Sequence, residues 1–416
     1  MSFAAVIPRA VEALQQVLAM EHPADAVLSR YFRKHPNMGA RDRAFVAEAV
    51  YGALRHARFL DAAGAVNPRL RILGAAFRFG GFNLRQLEPV SGAEREWLVG
   101  LKAIGCGDNL PPAVRAELPD WLWERLAAAY GDEQALAIGG GLQHPAPLDL
   151  RVNTLRASRD AALKALAEEG VSCAPTPYSP VGIRVRGKPP INRSPLFHSG
   201  VVEVQDEGSQ LLAYLVAPRR GEMVVDFCAG AGGKTLHLGT LMRSEGRVYA
   251  FDVADWRLAQ LKPRLRRSGL SNVYPQHIDS ENDPRVKRLA GKIDRVLVDA
   301  PCSGTGTLRR NPDLKWRQSP ATVAALKRTQ AAILEAAARL VKPGGRLVYA
   351  TCSFLQEEND AIIQAFLERT PTFSLVPAAQ VLADHGIALD TGPCLRLFPH
   401  LHGTDGFFAA VLDRAH

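Results

Sequence analysis

The stretch "VVDFCAGAGGKT", residues 224–235, consists of an apolar run, a turn with three glycines and the start of a helix. Glycines in such a turn let a ligand approach the backbone, and the helix N-terminus offers unpaired N–H groups to an anion. The stretch therefore predicts a strand, a cofactor-binding turn and a helix of an α/β sheet.

Two nucleotide-binding motifs nearly match this turn. A P-loop ends in Gly-Lys-Ser/Thr, which Gly233-Lys234-Thr235 supplies, but Cys228 occupies the place of its first glycine. The dinucleotide motif GxGxxG fits Gly230 and Gly232 and then meets Thr235. Neither motif is complete, and a P-loop ATPase remains an alternative that Cys228 disfavours.

Acidic residues follow the turn in a regular order. Asp226 ends the first strand, and Asp252 ends the next one, "RVYAFD", about 20 residues beyond the turn, where a carboxylate accepts from both ribose hydroxyls. Asp279 follows the third strand, at the depth of an adenine. The order favours a methyltransferase-like site for S-adenosylmethionine over glycines that only permit tight packing and aspartates that only cap helices.

Strands and helices alternate from residue 201 onward. The strands are "EMVVDFC", "GRVYAFD", "NVYPQHID", "KIDRVLVDA", "GRLVYAT" and "DGFFAAVLD", with helices at 255–268, 320–341 and 356–369. This alternation is typical of βαβ units and predicts a Rossmann-like parallel sheet over residues 201–416.

Two segments with different hydrophobic patterns precede that domain. Residues 1–140 place Ala, Val, Leu and Phe at three-to-four spacing, which predicts an all-α domain. Residues 141–200 combine the short strands "PLDLRVNT" and "GIRVR" with one helix that ends at Gly170, which predicts a small α/β module of the RRM type. We therefore expect three parts.

Composition narrows the class of protein. Lys and Arg number 51 against 42 Asp and Glu among 416 residues, and this net charge of +9 suits a polyanionic partner. The six cysteines form no CxxC pair, so we expect neither a metal site nor a disulfide framework but reduced thiols in the cytoplasm. We also expect no membrane segment, because no apolar run reaches the required length and Arg9 and Glu12 interrupt the N-terminal one.

Two cysteines follow predicted strands. Cys302 lies in "DAPCSGTG", residues 299–306, and Cys352 lies in "YATCSF", residues 349–354. Since ligands bind beyond the carboxyl ends of parallel strands, both thiols should face the cofactor crevice, whereas Cys106, Cys173 and Cys394 have only structural interpretations. "SFLQ" predicts a capping box in which Ser353 starts a helix, with Cys352 at its positive end as the thiolate nucleophile.

A thiolate beside a methyl donor can activate a pyrimidine for methylation. Carbon 5 of a pyrimidine is a poor nucleophile, but addition of a thiolate at carbon 6 turns carbon 5 into an enamine carbon. Asp299 is placed to donate a proton near N3 if desolvation raises its pKa. A second acid/base group must then remove the proton from carbon 5 and release the enzyme thiol.

Four segments together resemble the motifs of the RNA 5-methylcytosine methyltransferases of the RsmB/Sun family. They are "DFCAGAGGKTLHLG", "DAPCSGTGTLRRNPDLKWR", "YATCSFLQEEND" and "LRLFPHLHGTDGFFAAVL", and "VQDEGSQ" (204–210) matches the motif before the cofactor strand. The resemblance implies that Cys352 is the nucleophile, Cys302 helps release product and Asp299 contacts N3. In DNA cytosine methyltransferases the nucleophile is instead the cysteine of the Pro-Cys motif, here Cys302.

The resemblance also implies a cofactor and its ligands. S-adenosylmethionine would be held by Cys228, Ala229, Gly230, Ala231, Gly232, Gly233, Lys234, Asp252, Asp279 and Asp299. "DRAFVAEAVYGALR" (42–55) is similar to the NusB-type RNA-binding domain of the family's 16S ribosomal RNA members. We therefore expect a monomeric enzyme that acts on ribosomal RNA and has no obligate protein partner.

Three basic clusters are candidate phosphate contacts. They are Arg264, Arg266 and Arg267; Arg309, Arg310, Lys315 and Arg317; and Arg30, Arg33, Lys34, Arg41 and Arg43. Two alternatives stay open: the same chemistry on transfer RNA, and a non-catalytic RNA-binding assembly factor. The intact Cys302, Cys352 and Asp299 argue against the second alternative.

Overall fold

The computed structural model describes residues 5–104 and 109–416, so Cys106 lies outside the described residues. The chain divides into two compact units. The first contains the residues up to 145 together with 307–320, and the second contains 146–306 and 321–416. The segment that follows the Cys302 loop is therefore part of the first unit.

The first unit is helical, as predicted. Helix Ile7–Leu18 buries Ile7, Ala10, Leu14 and Val17, whose three-to-four spacing places them on one face. A π-helix spans Ala75–Phe79. The α-helices are Ile7–Leu18, Ala24–Lys34, Ala40–Arg55, Ala57–Ala62, Pro68–Gly74, Leu84–Leu87, Gly92–Ala103, Pro112–Arg115, Asp120–Tyr130, Asp132–Leu142 and Leu314–Arg317.

The second unit begins with a small antiparallel sheet. Its strands are β1 (Leu148–Val152), β2 (Cys173–Pro175), β3 (Gly182–Val185) and β4 (Val202–Val204), in the order β2-β3-β1-β4. Helices Arg159–Glu168 and Pro195–His198 and a 3-10 turn at Ile191–Arg193 accompany the sheet. Strand β4 extends the sheet beyond residue 200, because Val202 pairs with Val152 in the register.

The larger sheet of the second unit has eight strands. They are β5 (Met223–Asp226), β6 (Arg247–Asp252), β7 (Val273–His277), β8 (Ile293–Asp299), β9 (Val341–Thr351), β10 (Phe373–Val376), β11 (Leu395–Leu397) and β12 (Phe407–Arg414). The order is β10-β12-β9-β8-β5-β6-β7, with β11 on β12. Strands β5 to β9 pair in parallel and β12 is antiparallel to β9, which confirms the Rossmann-like prediction.

Helices pack on the large sheet around two apolar cores. One core includes Leu211 and Leu236, and the other includes Val296 and Phe366. The α-helices are Glu207–Val216, Gly233–Leu241, Asp255–Ser268, Pro284–Lys287, Pro320–Ala338, Asp360–Arg369, Ala378–Ala383 and Pro399–His402. Short 3-10 helices lie at Thr305–Thr307 and Gln356–Glu358.

The predicted helix at 356–369 is wrong over its first turn. A 3-10 turn ends at Glu358, and the α-helix begins only at Asp360. Asn359 between them has φ −115° and ψ −94°, outside the helical region, and its side chain bonds to Thr351 and Ser353. These side-chain bonds replace the continuous helix that the sequence pattern favours.

Candidate active site

A cavity of about 620 Å³ opens beyond the carboxyl ends of the parallel strands. Residues of the second unit alone line it, from the turn after β5, the end of β6 and the loops after β8 and β9. The predicted site residues found in its wall are Cys228, Ala229, Gly230, Ala231, Gly233, Lys234, Asp252, Asp299, Cys302 and Cys352. The structure therefore brings both cysteines to the predicted cofactor crevice.

The glycine-rich turn has a strict requirement at Gly232. This residue has φ +81°, and a Cβ there would lie 2.1 Å from Cδ1 of Leu261. Only glycine satisfies both the backbone conformation and the contact. Gly232 does not line the cavity; it turns the chain so that the next helix begins at Gly233.

Asp252 fixes the cofactor turn from the neighbouring strand. Its carboxylate accepts from the backbone N–H of Gly230 at 2.8 Å and of Ala254 at 2.7 Å. The apolar side chains of Val253 and Ile278 line the same wall. An acid hydrogen-bonded to a glycine turn, with apolar neighbours for a base, fits a nucleoside-bearing cofactor.

Asp279 lies elsewhere than the sequence analysis suggests. Its side chain is 82% exposed and outside the cavity wall, and its backbone N–H donates to Asp283. Its neighbours Ile278 and Glu281 line the cavity instead. The sequence analysis missed Glu281, because a loop carries no periodicity that indicates which side chain turns inward.

Lys234 and Asp299 form an ion pair in the cavity wall, with Nζ 2.6 Å from Oδ2. Burial acts against the ammonium charge, but the Asp299 carboxylate outweighs it, so the pKa of Lys234 is raised. The Cys352 sulfur contributes in the same direction. Lys234 is thus a charged proton donor beside Asp299 and one of the two cysteines.

Asp226 is a second buried acid of the site. Its Oδ2 accepts from Thr235 Oγ1 at 2.6 Å, while Oδ1 is buried without a hydrogen-bond partner. Burial raises the pKa of Asp226 to about 7, with the Asp299 charge adding to it. An unpartnered carboxylate oxygen in the cavity wall suits a cationic ligand group.

Two arginines donate hydrogen bonds to backbone carbonyls of the cofactor turn. Arg264 donates to the carbonyl of Ala231 and Arg151 to that of Gly233, each at 2.6 Å. Burial lowers the pKa of Arg151 to about 10. The sequence analysis missed Arg151 because it lies in the small sheet, about 80 residues before the turn that it contacts.

The first basic cluster is largely an internal network. Arg264 and Arg267 both pair with the buried Glu203, and the Arg267 guanidinium lies 4.1 Å from the centre of the Phe197 ring. The shared carboxylate disfavours phosphate contacts for these two arginines, which stay a prediction. Arg266 in the same helix is exposed.

The second basic cluster is partly buried in the helical unit. Lys315 donates to the backbone carbonyls of Arg55 and Glu117, each at 2.7 Å, and burial lowers its pKa to about 8. Arg309 is also buried. The phosphate-contact prediction is wrong for these two residues, since their side chains are withdrawn from solvent.

In the third cluster Arg43 donates to backbone carbonyls of its own loop, while Arg30, Arg33, Lys34 and Arg41 are exposed.

The two cysteines of the cavity lie against each other, with their sulfur atoms 3.4 Å apart. The hydrogen bond with Cys352 and burial together raise the pKa of Cys302 well above its usual range. Cys302 therefore remains a thiol that can donate to the Cys352 sulfur.

Backbone contacts join the two cysteine loops. The Gly306 N–H donates to the Cys352 carbonyl at 2.9 Å, and the Gly306 carbonyl accepts from Gly406 N–H at 2.8 Å. A Cβ at Gly306 would lie 2.2 Å from the Gly406 oxygen. This close approach explains why glycine ends "DAPCSGTG".

The predicted capping box after Cys352 is wrong. Ser353 does not start a helix: its hydroxyl donates to Glu358 and accepts from Leu355 N–H. The hydroxyl serves a buried network instead of a helix end, so the positive end of a helix does not activate Cys352.

Within residues 5–104 and 109–416, no group of three His, Cys, Asp or Glu side chains could hold a metal ion. Across the same described ranges, none of the helices is long and apolar enough to cross a membrane.

A Rossmann-like sheet, a glycine turn with an acid on the next strand and two cysteines in one cavity define a methyltransferase. Residues 213–413 match the family model described as 16S rRNA methyltransferase RsmB/F, and residues 118–192 match its ferredoxin-like domain. The probable ribosomal RNA small subunit methyltransferase B of Synechocystis sp. is 34% identical over 94% of this chain and 95% of its own length. The chain belongs to the RsmB/F family of S-adenosylmethionine-dependent rRNA methyltransferases.

Solved structures show the same fold. The crystal structure of PH0851 covers 98% of each chain with 28% identity and a TM-score of 0.80. NSun6 from Pyrococcus horikoshii, solved with SFG, covers 72% of this chain and 98% of its own, with 22% identity and a TM-score of 0.64. At that identity the second likeness concerns the fold alone.

Proposed function

We propose that this protein methylates carbon 5 of a cytidine in 16S ribosomal RNA through a covalent adduct between Cys352 and carbon 6. The observation that carries the proposal is the pair of sulfur atoms 3.4 Å apart, in one cavity with the Lys234–Asp299 ion pair. Addition to a pyrimidine needs a nucleophile and a proton donor, and both are present.

The two cysteines have different roles in this proposal. Cys352 is the nucleophile, because its sulfur lies in the cavity wall and the Cys302 thiol can donate a hydrogen bond to it. Cys302, whose pKa is raised, keeps a proton. In the release step the carbon 5 proton passes to solvent water and the N3 proton returns through Asp299. The pyrimidine double bond re-forms, and the Cys352 sulfur departs as thiolate while the Cys302 thiol donates a hydrogen bond to it.

Lys234 and Asp299 activate the base together. Addition of sulfur at carbon 6 places negative charge on N3, and the paired Asp299 can relay a proton from the Lys234 ammonium to that nitrogen.

S-adenosylmethionine, when bound, supplies an electrophilic methyl group. The residues that would hold it are those of the cofactor turn from Cys228 to Lys234, with Asp252 for the ribose and Asp299 nearby. The unpartnered oxygen of Asp226 would accept from the cofactor's ammonium group. Asp279 is left out, because its carboxylate lies outside the cavity.

Ribosomal RNA is the proposed substrate because the matched family and the Synechocystis relative carry that name. A net charge of +9 suits an RNA partner. We further propose a NusB-type role in RNA binding for the helical part and a cytoplasmic location. Mapping 5-methylcytidine in 16S ribosomal RNA and in transfer RNA, with and without the gene, tests the substrate: loss of a transfer RNA mark alone would contradict it.

Two variants test the assignment of the nucleophile. Cys352→Ala should abolish methylation and form no RNA adduct, whereas Cys302→Ala should accumulate a protein–RNA adduct that survives denaturation. Gel electrophoresis of the enzyme with radiolabelled RNA separates the two outcomes. An adduct in Cys352→Ala and none in Cys302→Ala would reverse the assignment.

A further inference from the structure

Glu358 is a wholly buried carboxylate that the mechanism above does not use. Its Oε1 accepts from the backbone N–H of Ser303 and from Gln330 Nε2, each at 2.9 Å. Its Oε2 accepts from the hydroxyls of Ser303 and Ser353, each at 2.5 Å. Four donors on one buried carboxylate satisfy it fully and fix its position.

The donors come from both cysteine loops. Ser303 directly follows Cys302, and Ser353 directly follows Cys352. The two hydroxyls bind the same carboxylate oxygen and lie 3.1 Å apart. Gln330 extends the network to the residue before Cys302, because its Nε2 also donates to the Pro301 carbonyl at 2.9 Å.

Glu358 itself is held at its backbone. The buried hydroxyl of Tyr349 donates to the Glu358 carbonyl at 2.6 Å, and Tyr349 lies in β9, the strand that leads to Cys352. The backbone of Glu358 is thus anchored to the sheet through Tyr349.

We propose that Glu358 is a positioning residue that ties the two cysteine loops together and thereby sets Cys302 beside Cys352. The step that it serves, release of the RNA adduct by Cys302, rests on the proposed function. Without the carboxylate, other bonds still join the loops: Gly306 N–H donates to the Cys352 carbonyl, and Thr305 Oγ1 bonds to Phe354 N–H and to the Ser353 hydroxyl. On the Cys302 side these bonds begin two or more residues after Ser303, so next to Cys302 itself only the contact between the two serine hydroxyls remains among the described bonds to the other loop's serine.

Electrostatics support the same role. After the Cys352 hydrogen bond, burial and the Cys352 charge, the Glu358 charge is a further cause that raises the pKa of Cys302. The carboxylate therefore favours the protonated form of Cys302 as well as its position. The buried Tyr349 hydroxyl faces the same groups, and its pKa is also raised, first by burial and then by the Cys302 and Glu358 charges.

A thiol–disulfide equilibrium measures the position of the two sulfurs without RNA or cofactor. Two protein thiols and one oxidised glutathione give one protein disulfide and two reduced glutathiones. The equilibrium constant is the effective concentration of Cys302 and Cys352 towards each other, read by mass spectrometry after acid quenching. We expect Glu358→Ala to lower it at least about tenfold, since the sulfurs must otherwise find the disulfide geometry themselves.

Control variants separate positioning from general damage. Glu358→Gln keeps an oxygen acceptor for Ser303 N–H and Gln330, so it should stay within about threefold of the wild-type value. Glu357→Gln removes a carboxylate from the same turn at a residue that is not buried and should leave the value unchanged. Binding of S-adenosylhomocysteine and the melting temperature report whether each variant is folded.

The proposal is overturned if folded Glu358→Ala keeps the wild-type equilibrium constant. If that variant does not fold, the double variant Ser303→Ala/Ser353→Ala removes two donors and leaves the carboxylate. We expect the thiol–disulfide equilibrium constant of this double variant to fall as much as that of Glu358→Ala. An unchanged constant would overturn the proposal equally.

Enzyme assays then test whether the Glu358 hydrogen bonds to the two cysteine loops affect catalysis. Glu358→Ala should accumulate the denaturation-stable RNA adduct, as Cys302→Ala does, with kcat reduced and the KM for S-adenosylmethionine unchanged. Absence of any methylation by the wild-type enzyme would contradict the proposed function and leave the thiol measurement standing. An unchanged thiol constant would contradict the tie and leave the methylation standing.

Discussion

Lys234 is largely withdrawn from solvent and Lys315 is buried, yet their pKa values shift in opposite directions. Lys234 in the second unit lies against the Asp299 carboxylate, and its pKa is raised. Lys315 in the helical unit donates to two backbone carbonyls, and burial lowers its pKa to about 8. The comparison shows that the partner, and not burial alone, decides whether a buried lysine keeps its charge.

The two lysines consequently have different roles. Lys234 is a charged group in the wall of the reaction cavity, where a proton donor is needed. Lys315 joins residues 307–320 to the helices of its unit through Arg55 and Glu117. Sequence reasoning grouped Lys315 with phosphate contacts because it follows the Cys302 motif, but its role is structural.

The largest expected effect is on methylation. Lys234→Met should lower kcat by about 100- to 1000-fold, because it removes the proton donor that accompanies addition at carbon 6. Lys315→Met should leave kcat within about threefold. Single-turnover methylation of 16S ribosomal RNA by both folded variants measures the difference, and comparable losses in the two would break the comparison.

The next effect concerns stability and pH. A pKa of about 8 in the folded chain against 10.5 in the unfolded chain means that the unfolded state binds more protons between these values. Stability should therefore rise with pH from about 8 to 10.5, by about 3 kcal/mol relative to Lys315→Met. Chemical denaturation of the full chain at several pH values tests this, and a parallel pH dependence in the variant would contradict it.

A smaller effect concerns the charge of Lys234, which should become as weakly stabilised as that of Lys315 once its carboxylate partner is removed. Asp299→Asn removes the carboxylate that stabilises the Lys234 ammonium, so the pKa of Lys234 should fall. Its acylation by acetic anhydride at pH 8, read by peptide mass spectrometry, should rise about tenfold. The exposed Lys262 serves as an internal standard. Unchanged Lys234 acylation would mean that another group holds the charge.

The smallest effect concerns RNA affinity. Arg30 is exposed, and Arg30→Ala should reduce the slope of log affinity against log salt by about 1 if the residue contacts a phosphate. Lys315→Met should leave the slope unchanged, because its ammonium is buried. Filter binding at several salt concentrations distinguishes them, and a reduced slope for Lys315→Met would return that residue to the phosphate contacts.

Local sequence accounts for much of the candidate site. The glycine turn, Asp252 and the two cysteines could be predicted because each lies at the end of a strand, and the ends of parallel strands meet at one edge. Asp279 stays a prediction: the same argument places it near the edge, but it does not fix which way the side chain turns, and the side chain is exposed outside the cavity wall. Ser353 failed because a capping pattern competes with a buried acceptor that sequence spacing does not reveal.

The sequence by itself determined the α/β class, the cofactor turn and the pairing of two cysteine motifs, since these depend on short-range periodicity and on conformations that only certain residues adopt. The tertiary structure alone decided which basic side chains are withdrawn from solvent, that Arg151 grips the cofactor turn and that Glu358 joins the two cysteine loops. The physical reason is that burial and charge pairing depend on residues far apart in the chain, as the opposite fates of Lys234 and Lys315 show.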